Sequence, residues 1–228
     1  MKMRIILFDI DGTIMMSGGA GRKAMTQSFQ EVYGVADGLK EVVLSGRTDP
    51  LILSEALASK GIISDEKDKN RFKERYFELL AECIQMDLPG KNLFPGILEI
   101  LQKLTQTDNV ATGLLTGNWQ QGAKTKLGYF NLYDFFPFGA FGDDSPDRNK
   151  LLPFAMERCN GNGVASDPTQ AIVIGDTPMD IECAHVHGAK VMAVATGSFS
   201  YSELENHNPD WLFEDLSNVG EVLGILEG

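Results

Sequence analysis

Two carboxylates one residue apart, Asp9 and Asp11 in "RIILFDIDGTIM" (residues 4–15), follow directly on an apolar run. Like charges that close raise each other's pKa and resist burial unless a cation or a shared proton compensates, so something positive is expected beside them. Two more apolar runs end in polar clusters. "VATGLL" (110–115) leads into Thr116-Gly117-Asn118, and "AIVIG" (171–175) into Asp176-Thr177-Pro178-Met179-Asp180. Three acids, one hydroxyl and several glycine-adjacent amides, if gathered in one crevice, would bind a hard divalent cation and an anion together. Magnesium is the natural cation: it takes oxygen ligands, keeps waters, and prefers one or two carboxylates plus a substrate phosphate.

The elements that must bring these groups together are legible as a rhythm. Short apolar runs at 4–8, 110–115, 171–174 and 190–195, with a weaker fifth at 138–141, alternate with helix-length segments. Strands so separated pair in parallel through crossover helices, giving an α/β sheet covered on both faces. In such sheets ligands bind beyond the carboxyl ends of the strands, so the three polar clusters should converge although they are far apart in sequence. The rhythm has one interruption. Roughly a hundred residues after the first run read as helix: Phe72, Tyr76, Leu79, Leu80 and Cys83 follow one helical face, and "PLILSEALASKG" (50–61) ends in a glycine suited to a C-terminal cap. Glycine and proline clusters border this insert, "SGGAG" at 17–21 and "LPGKNLFPG" at 88–96, and suit hinges. The expected division is a discontinuous core of residues 1–15 and 91–228, with a helical domain over 16–90.

Composition narrows the partners. With 228 residues, 43% hydrophobic, the chain can build one full core and a smaller satellite. A formal charge of -12 argues against nucleic acid and against an anionic membrane surface. Cys83, Cys159 and Cys183 are odd in number and widely spaced, which opposes a disulfide framework or a structural zinc and fits a cytoplasmic location. No apolar run approaches a membrane span, and Met1–Met3 read as leading straight into a strand rather than a signal peptide. His185, His187 and His207 show no ligand spacing with the cysteines, and Trp119 and Trp211 read as packing residues, Trp119 close enough to its polar cluster to line the crevice.

"DIDGT", "LLTGN" and "GDTPMD", in that order and each at a strand end, resemble the first, second and fourth motifs of the haloacid dehalogenase-like phosphatases. The resemblance spans the chain, because the helical insert lies where the phosphoglycolate phosphatase and β-phosphoglucomutase branch carries a helical cap. It implies a three-layer, Rossmann-like parallel sheet core with a mostly helical cap inserted after the first strand. It also implies roles. Asp9 would attack phosphorus to form an aspartyl-phosphate, and Asp11 would protonate the leaving oxygen and then deprotonate water. Thr116 would hold phosphoryl oxygens; Gly12, Thr13, Gly117 and Asn118 would contribute to substrate binding. Asp176 would ligate Mg2+ beside Asp9 and the Asp11 carbonyl, with Asp180 orienting the shell. The third motif departs from the family, which shows a lysine often followed by proline; this chain has "GDDSPDRNKLLPFAMERC" (142–159) instead. Arg148 and Lys150 are its two candidate cations. Arg148 is preferred, because it precedes the expected helix and arginine suits bidentate phosphate contact.

In "SGRTDP" (45–50) two readings stay open: a helix start capped by Asp49, or a loop from which Arg47 reaches the distal part of the substrate, as the matching loop does in similar enzymes. Asp143-Asp144 reads as a solvated loop rather than a second metal site. The functional expectation is a Mg2+-dependent phosphatase acting on a small phosphorylated metabolite, phosphoglycolate-like or sugar-phosphate-like, as a monomer or weak homodimer. A phosphomutase of the β-phosphoglucomutase kind shares every motif and is the alternative. A dehalogenase proper is disfavoured because Asp11 is present, and a binding protein without chemistry because the acids are all in place.

Overall fold

The computed structural model describes residues 3–161 and 167–228; of the stretch read as leading into the first strand, Met1 and Lys2 lie outside them. Five strands sit where the apolar runs are. These are β1 (Arg4–Phe8), β4 (Val110–Leu115), β5 (Gly139–Ala140), β6 (Ala171–Gly175) and β7 (Lys190–Val194). They join β8 (Trp211–Phe213) in one sheet of order β5-β4-β1-β6-β7-β8, and every neighbouring pair is parallel. The strand β8 is a three-residue edge element that the sequence reading does not contain.

Alternation along β1 builds the layers. Ile6 and Phe8 join Ile172, Ile174 and Met192 in a core that extends to α4 (Ile97–Leu104) and α9 (Val219–Glu227). Ile5 and Leu7 face the other way, onto a second core with Val173, Val191 and the apolar sides of α6 (Leu151–Gly161) and α7 (Pro178–Val186). A period-two strand buried on both faces is what a three-layer α/β core requires.

Between β1 and β4 the chain forms α1 (Ala20–Tyr33), α2 (Asp49–Ser59) and α3 (Glu66–Cys83). The α3 face is the expected one, with Phe72, Tyr76, Leu79, Leu80 and Cys83 buried. α2 ends in a paired turn: Gly61 at φ 63 donates to the Ala58 carbonyl (3.1 Å) and Ile62 to the Leu57 carbonyl (2.9 Å), a Schellman termination that satisfies the last carbonyls. The chain passes into and out of this helical stretch through a second sheet, in which β2 (Met15–Ser17) pairs antiparallel with β3 (Lys91–Leu93). The three cysteines are free and buried, and among the described residues no helix is long and apolar enough to cross a membrane.

Candidate active site

The central position of β1 decides the site. Its neighbours are β4 and β6, so Asp9, Thr116 and Asp176 emerge side by side at the carboxyl ends of three adjacent parallel strands. They stand beside a cavity of about 230 Å³ lined by Asp9, Asp11, Gly12, Gly117, Asn118, Arg148 and Asp176 from the sheet side, and by Met25, Arg47, Ile52 and Tyr76 from the helical insert. Backbone geometry explains two of the glycines. Gly12 holds φ 86, and a Cβ there would stand 2.3 Å from an Asp176 oxygen; a Cβ on Gly117 would stand 2.2 Å from the Arg47 carbonyl, so both sites need a bare backbone.

Each of the paired carboxylates has its own cation. Arg148 Nη2 lies 3.3 Å from Asp9 Oδ2 and is also paired with Asp180 Oδ1. Lys126, on α5 (Gln120–Tyr129), places Nζ 2.5 Å from Asp11 Oδ2 and 2.6 Å from Asn118 Oδ1. Lys126 was not among the expected site residues. Its one sequence signal is position: it shares a buried helical stripe with Gly122, Ala123 and Leu127, where a lysine with no partner would be costly. Lys150, the other candidate for the third motif, is not brought to the site. A tight turn over Arg148–Lys150 separates the two cations, burying Arg148 while the Lys150 side chain stays 71% exposed near Asp147.

Asp9 is buried, and burial lifts its pKa to about 6; the Arg148 guanidinium pulls the other way, while Asp180 adds to the rise. Asp176 is pushed well above the usual carboxylate range by burial and by the charges of Asp180 and Asp9. Oxygens of Asp9, Asp176 and Asp180 fall within 4.8 Å of one another, and Arg148 is the buried cation against them. Three buried acids facing one guanidinium leave an excess of negative charge, and an all-oxygen donor set suits a hard divalent ion. Asp180 has little left to give such an ion. Its Oδ2 accepts from the Thr177 N–H (3.1 Å) and hydroxyl (2.7 Å), closing a capping box at the start of α7, and its Oδ1 holds Arg148. Thr13 stands behind Asp176, fully buried, with its hydroxyl 3.1 Å from Asp176 Oδ1 rather than at the cavity surface. The Thr116 hydroxyl is buried and accepts from Asn118 Nδ2 at 2.8 Å.

The insert closes onto the site through residues 45–49. Thr48, not Asp49, caps α2, accepting from the Leu51 N–H at 3.4 Å. The Asp49 carboxylate instead crosses to the core and accepts from the Trp119 N–H at 2.8 Å, while the Asp49 N–H donates to the Gly117 carbonyl at 2.8 Å. Arg47 lines the cavity but is ion-paired with Glu55 of α2. Trp119 packs as expected, its ring 5.6 Å from Tyr76 and 6.0 Å from Phe77 of α3. Asp143 and Asp144 are not merely solvated: Asp143 pairs with Lys73 at 2.5 Å and Asp144 with Arg158 at 2.6 Å.

Residues 6–194 match the haloacid dehalogenase-like hydrolase family. The chain belongs to that family. A protein of Caldanaerobacter subterraneus subsp. tengcongensis assigned as the pyrophosphatase PpaX is 24% identical over 232 residues, covering 100% of this chain and 96% of the relative. The phosphoglycolate phosphatase of Rhodospirillum rubrum is 25% identical over 225 residues, covering 97% and 91%. Among solved structures, a predicted phosphoglycolate phosphatase from Haemophilus somnus 129pt superposes with TM-score 0.70 at 21% identity, covering 98% of this chain and 99% of that one, which supports the shared fold.

In this hydrolase Asp49 gives a pH test that is independent of turnover. Burial lifts its carboxyl to about 7, against the pull of Lys126 and the Trp119 N–H. A folded-state pKa above the unfolded value means a contribution fully present below about pH 4 and lost as pH rises through 7. Asp49→Asn keeps an acceptor for Trp119 and cannot ionise. Between pH 5 and pH 8 the wild type should therefore lose about 2–3 kcal/mol more stability in urea unfolding than the variant; parallel losses would show that Asp49 is not held protonated.

Proposed function

We propose that this hydrolase, a phosphatase by its family and relatives, is Mg2+-dependent and cleaves a small phosphorylated metabolite through an aspartyl-phosphate on Asp9. One observation carries the reading: at the end of the central strand a buried carboxylate faces both a buried guanidinium and a second acid, Asp11, two residues further on. Asp9 would ligate the ion together with Asp176 and the Asp11 carbonyl. When bound, Mg2+ offsets the charge of the carboxylates and of the transferring phosphoryl group.

The chain's own groups supply the rest. Arg148, with Nη2 3.3 Å from Asp9 Oδ2, steadies Asp9 for attack. Gly12 and Gly117 line the same cavity. Asp11 gives a proton to the leaving oxygen and takes one from the hydrolytic water, because the acid of one half-reaction must be the base of the next. The insert's 45–49 loop, bound to the core at Gly117 and Trp119, excludes bulk water. The modest cavity volume favours a small leaving group.

The test is phosphate release across phosphoglycolate, sugar phosphates, nucleotides and pyrophosphate. Release should vanish with a chelator and return with Mg2+, whereas Ca2+, with its larger and looser shell, should fail to restore it. Equal rates in the two ions would remove the metal assignment. Isomerised sugar phosphate without free phosphate would assign the phosphomutase chemistry instead.

A further inference from the structure

Lys126 is a buried ammonium whose hydrogen-bond partners among the described residues are both site residues. Its side chain is 6% exposed, and Nζ reaches Asp11 Oδ2 and Asn118 Oδ1. Asn118 turns its own amide, Nδ2, to the same Asp11 oxygen at 2.9 Å and to the Thr116 hydroxyl at 2.8 Å. Asp11 Oδ2 therefore accepts from two donors at once, while Oδ1 receives no hydrogen bond from any described residue. A carboxyl group carries its proton on the oxygen that is not already taken by donors. The insert closes the other side: a Cβ on Gly21 of α1 would stand 3.4 Å from Lys126 Nζ, 3.5 Å from its Cε and 3.9 Å from the Tyr76 hydroxyl of α3.

We propose that Lys126 is a positioning residue for proton transfer, pinning Asp11 through Oδ2 together with Asn118 so that Oδ1 faces the reacting oxygen. The inference rests on the phosphatase reading above. In the first step an Asp9 oxygen bonds to phosphorus and the bond from phosphorus to the leaving oxygen breaks, its electron pair staying on that oxygen. The Oδ1 proton of Asp11 moves to it. Asp11 is left as a carboxylate whose new charge faces the Lys126 ammonium, so the same contact that aims the acid also stabilises its conjugate base.

A positioning role separates from a structural one by leaving group. An alkoxide needs its proton as it departs, whereas 4-nitrophenolate leaves without one, so help with protonation is worth much more for alkyl esters. The constant kcat/KM covers only the steps up to departure of the leaving group, so the later attack of water, common to both esters, does not enter. The measurement is kcat/KM for glycerol 2-phosphate and 4-nitrophenyl phosphate, with Mg2+, in the wild type and Lys126→Met. The alkyl value should fall by about 100-fold and the aryl value by less than about fivefold. If circular dichroism shows Lys126→Met to be unfolded, Lys126→Gln carries the same comparison. Equal losses for the two esters in a folded variant, or an alkyl value within about twofold of wild type, would overturn the positioning role while leaving the phosphatase reading intact. Failure of the wild type to turn over either ester would instead strike the phosphatase reading itself.

Discussion

Asp9→Asn should lower turnover by about 10⁴-fold or more while leaving the protein as stable as the wild type, or more so, at pH 8. The two halves of that expectation come from one environment. Asp9 is buried at the end of β1, and burial holds its pKa near 6 in spite of Arg148. Its folded-state pKa lies above the unfolded value, so its contribution to stability is complete below about pH 4 and is lost as pH rises through 6. At pH 8 the ionised carboxylate of the metal-free protein is thus a cost to the fold, one that the proposed chemistry would require. Asparagine has the same shape and no charge, so it would remove the proposed nucleophile and the cost together. Turnover would be followed by phosphate release with Mg2+ restored, and stability by thermal unfolding of the chelator-treated, metal-free protein. Near wild-type turnover would exclude attack by Asp9. Lost turnover accompanied by a large fall in melting temperature would mean that Asp9 is chiefly a structural residue.

Much of this site was legible because its parts sit at strand ends. Asp9, Thr116 and Asp176 each follow an apolar run, and parallel topology alone brings such ends to one edge of a sheet. What remained illegible depends on pairing across the chain. Lys126 is one lysine on a helix of mixed composition, and its importance exists only through Asp11, 115 residues earlier. Arg47 could be placed above the crevice, but its engagement with Glu55 is a matter of rotamers on α2. The cap of α2 was misread by one residue: Thr48 and Asp49 are both good capping types, and which of them turns inward was decided by the Trp119 N–H on the opposite side of the cavity. β8 and the β2–β3 pair are three-residue elements too short to show a period, defined by partners distant in sequence.

The third motif offers the second large effect. Arg148→Met should reduce kcat/KM by about 10³-fold and destabilise the fold by about 3–5 kcal/mol, whereas Lys150→Met should leave both within about twofold and 0.5 kcal/mol. The two residues are two positions apart, so sequence alone separates them weakly. Their surroundings separate them fully. Arg148 is buried against Asp9 and Asp180, and Nη1 also donates to the Gly46 carbonyl of the insert at 3.3 Å, so one guanidinium joins Asp9, the start of α7 and the 45–49 loop. Removing it leaves buried carboxylates without their cation, the case in which breaking an ion pair is most damaging. Methionine fills much of the volume, so the loss reports charge and hydrogen bonding more than a cavity. Among the described residues Lys150 pairs only with Asp147, at 3.9 Å and largely in water, where an ion pair contributes little. Steady-state kinetics and urea unfolding on the two variants would decide the matter. A greater catalytic loss from Lys150→Met would move the third-motif cation two residues along the chain and require the 148–150 turn to rearrange when substrate binds.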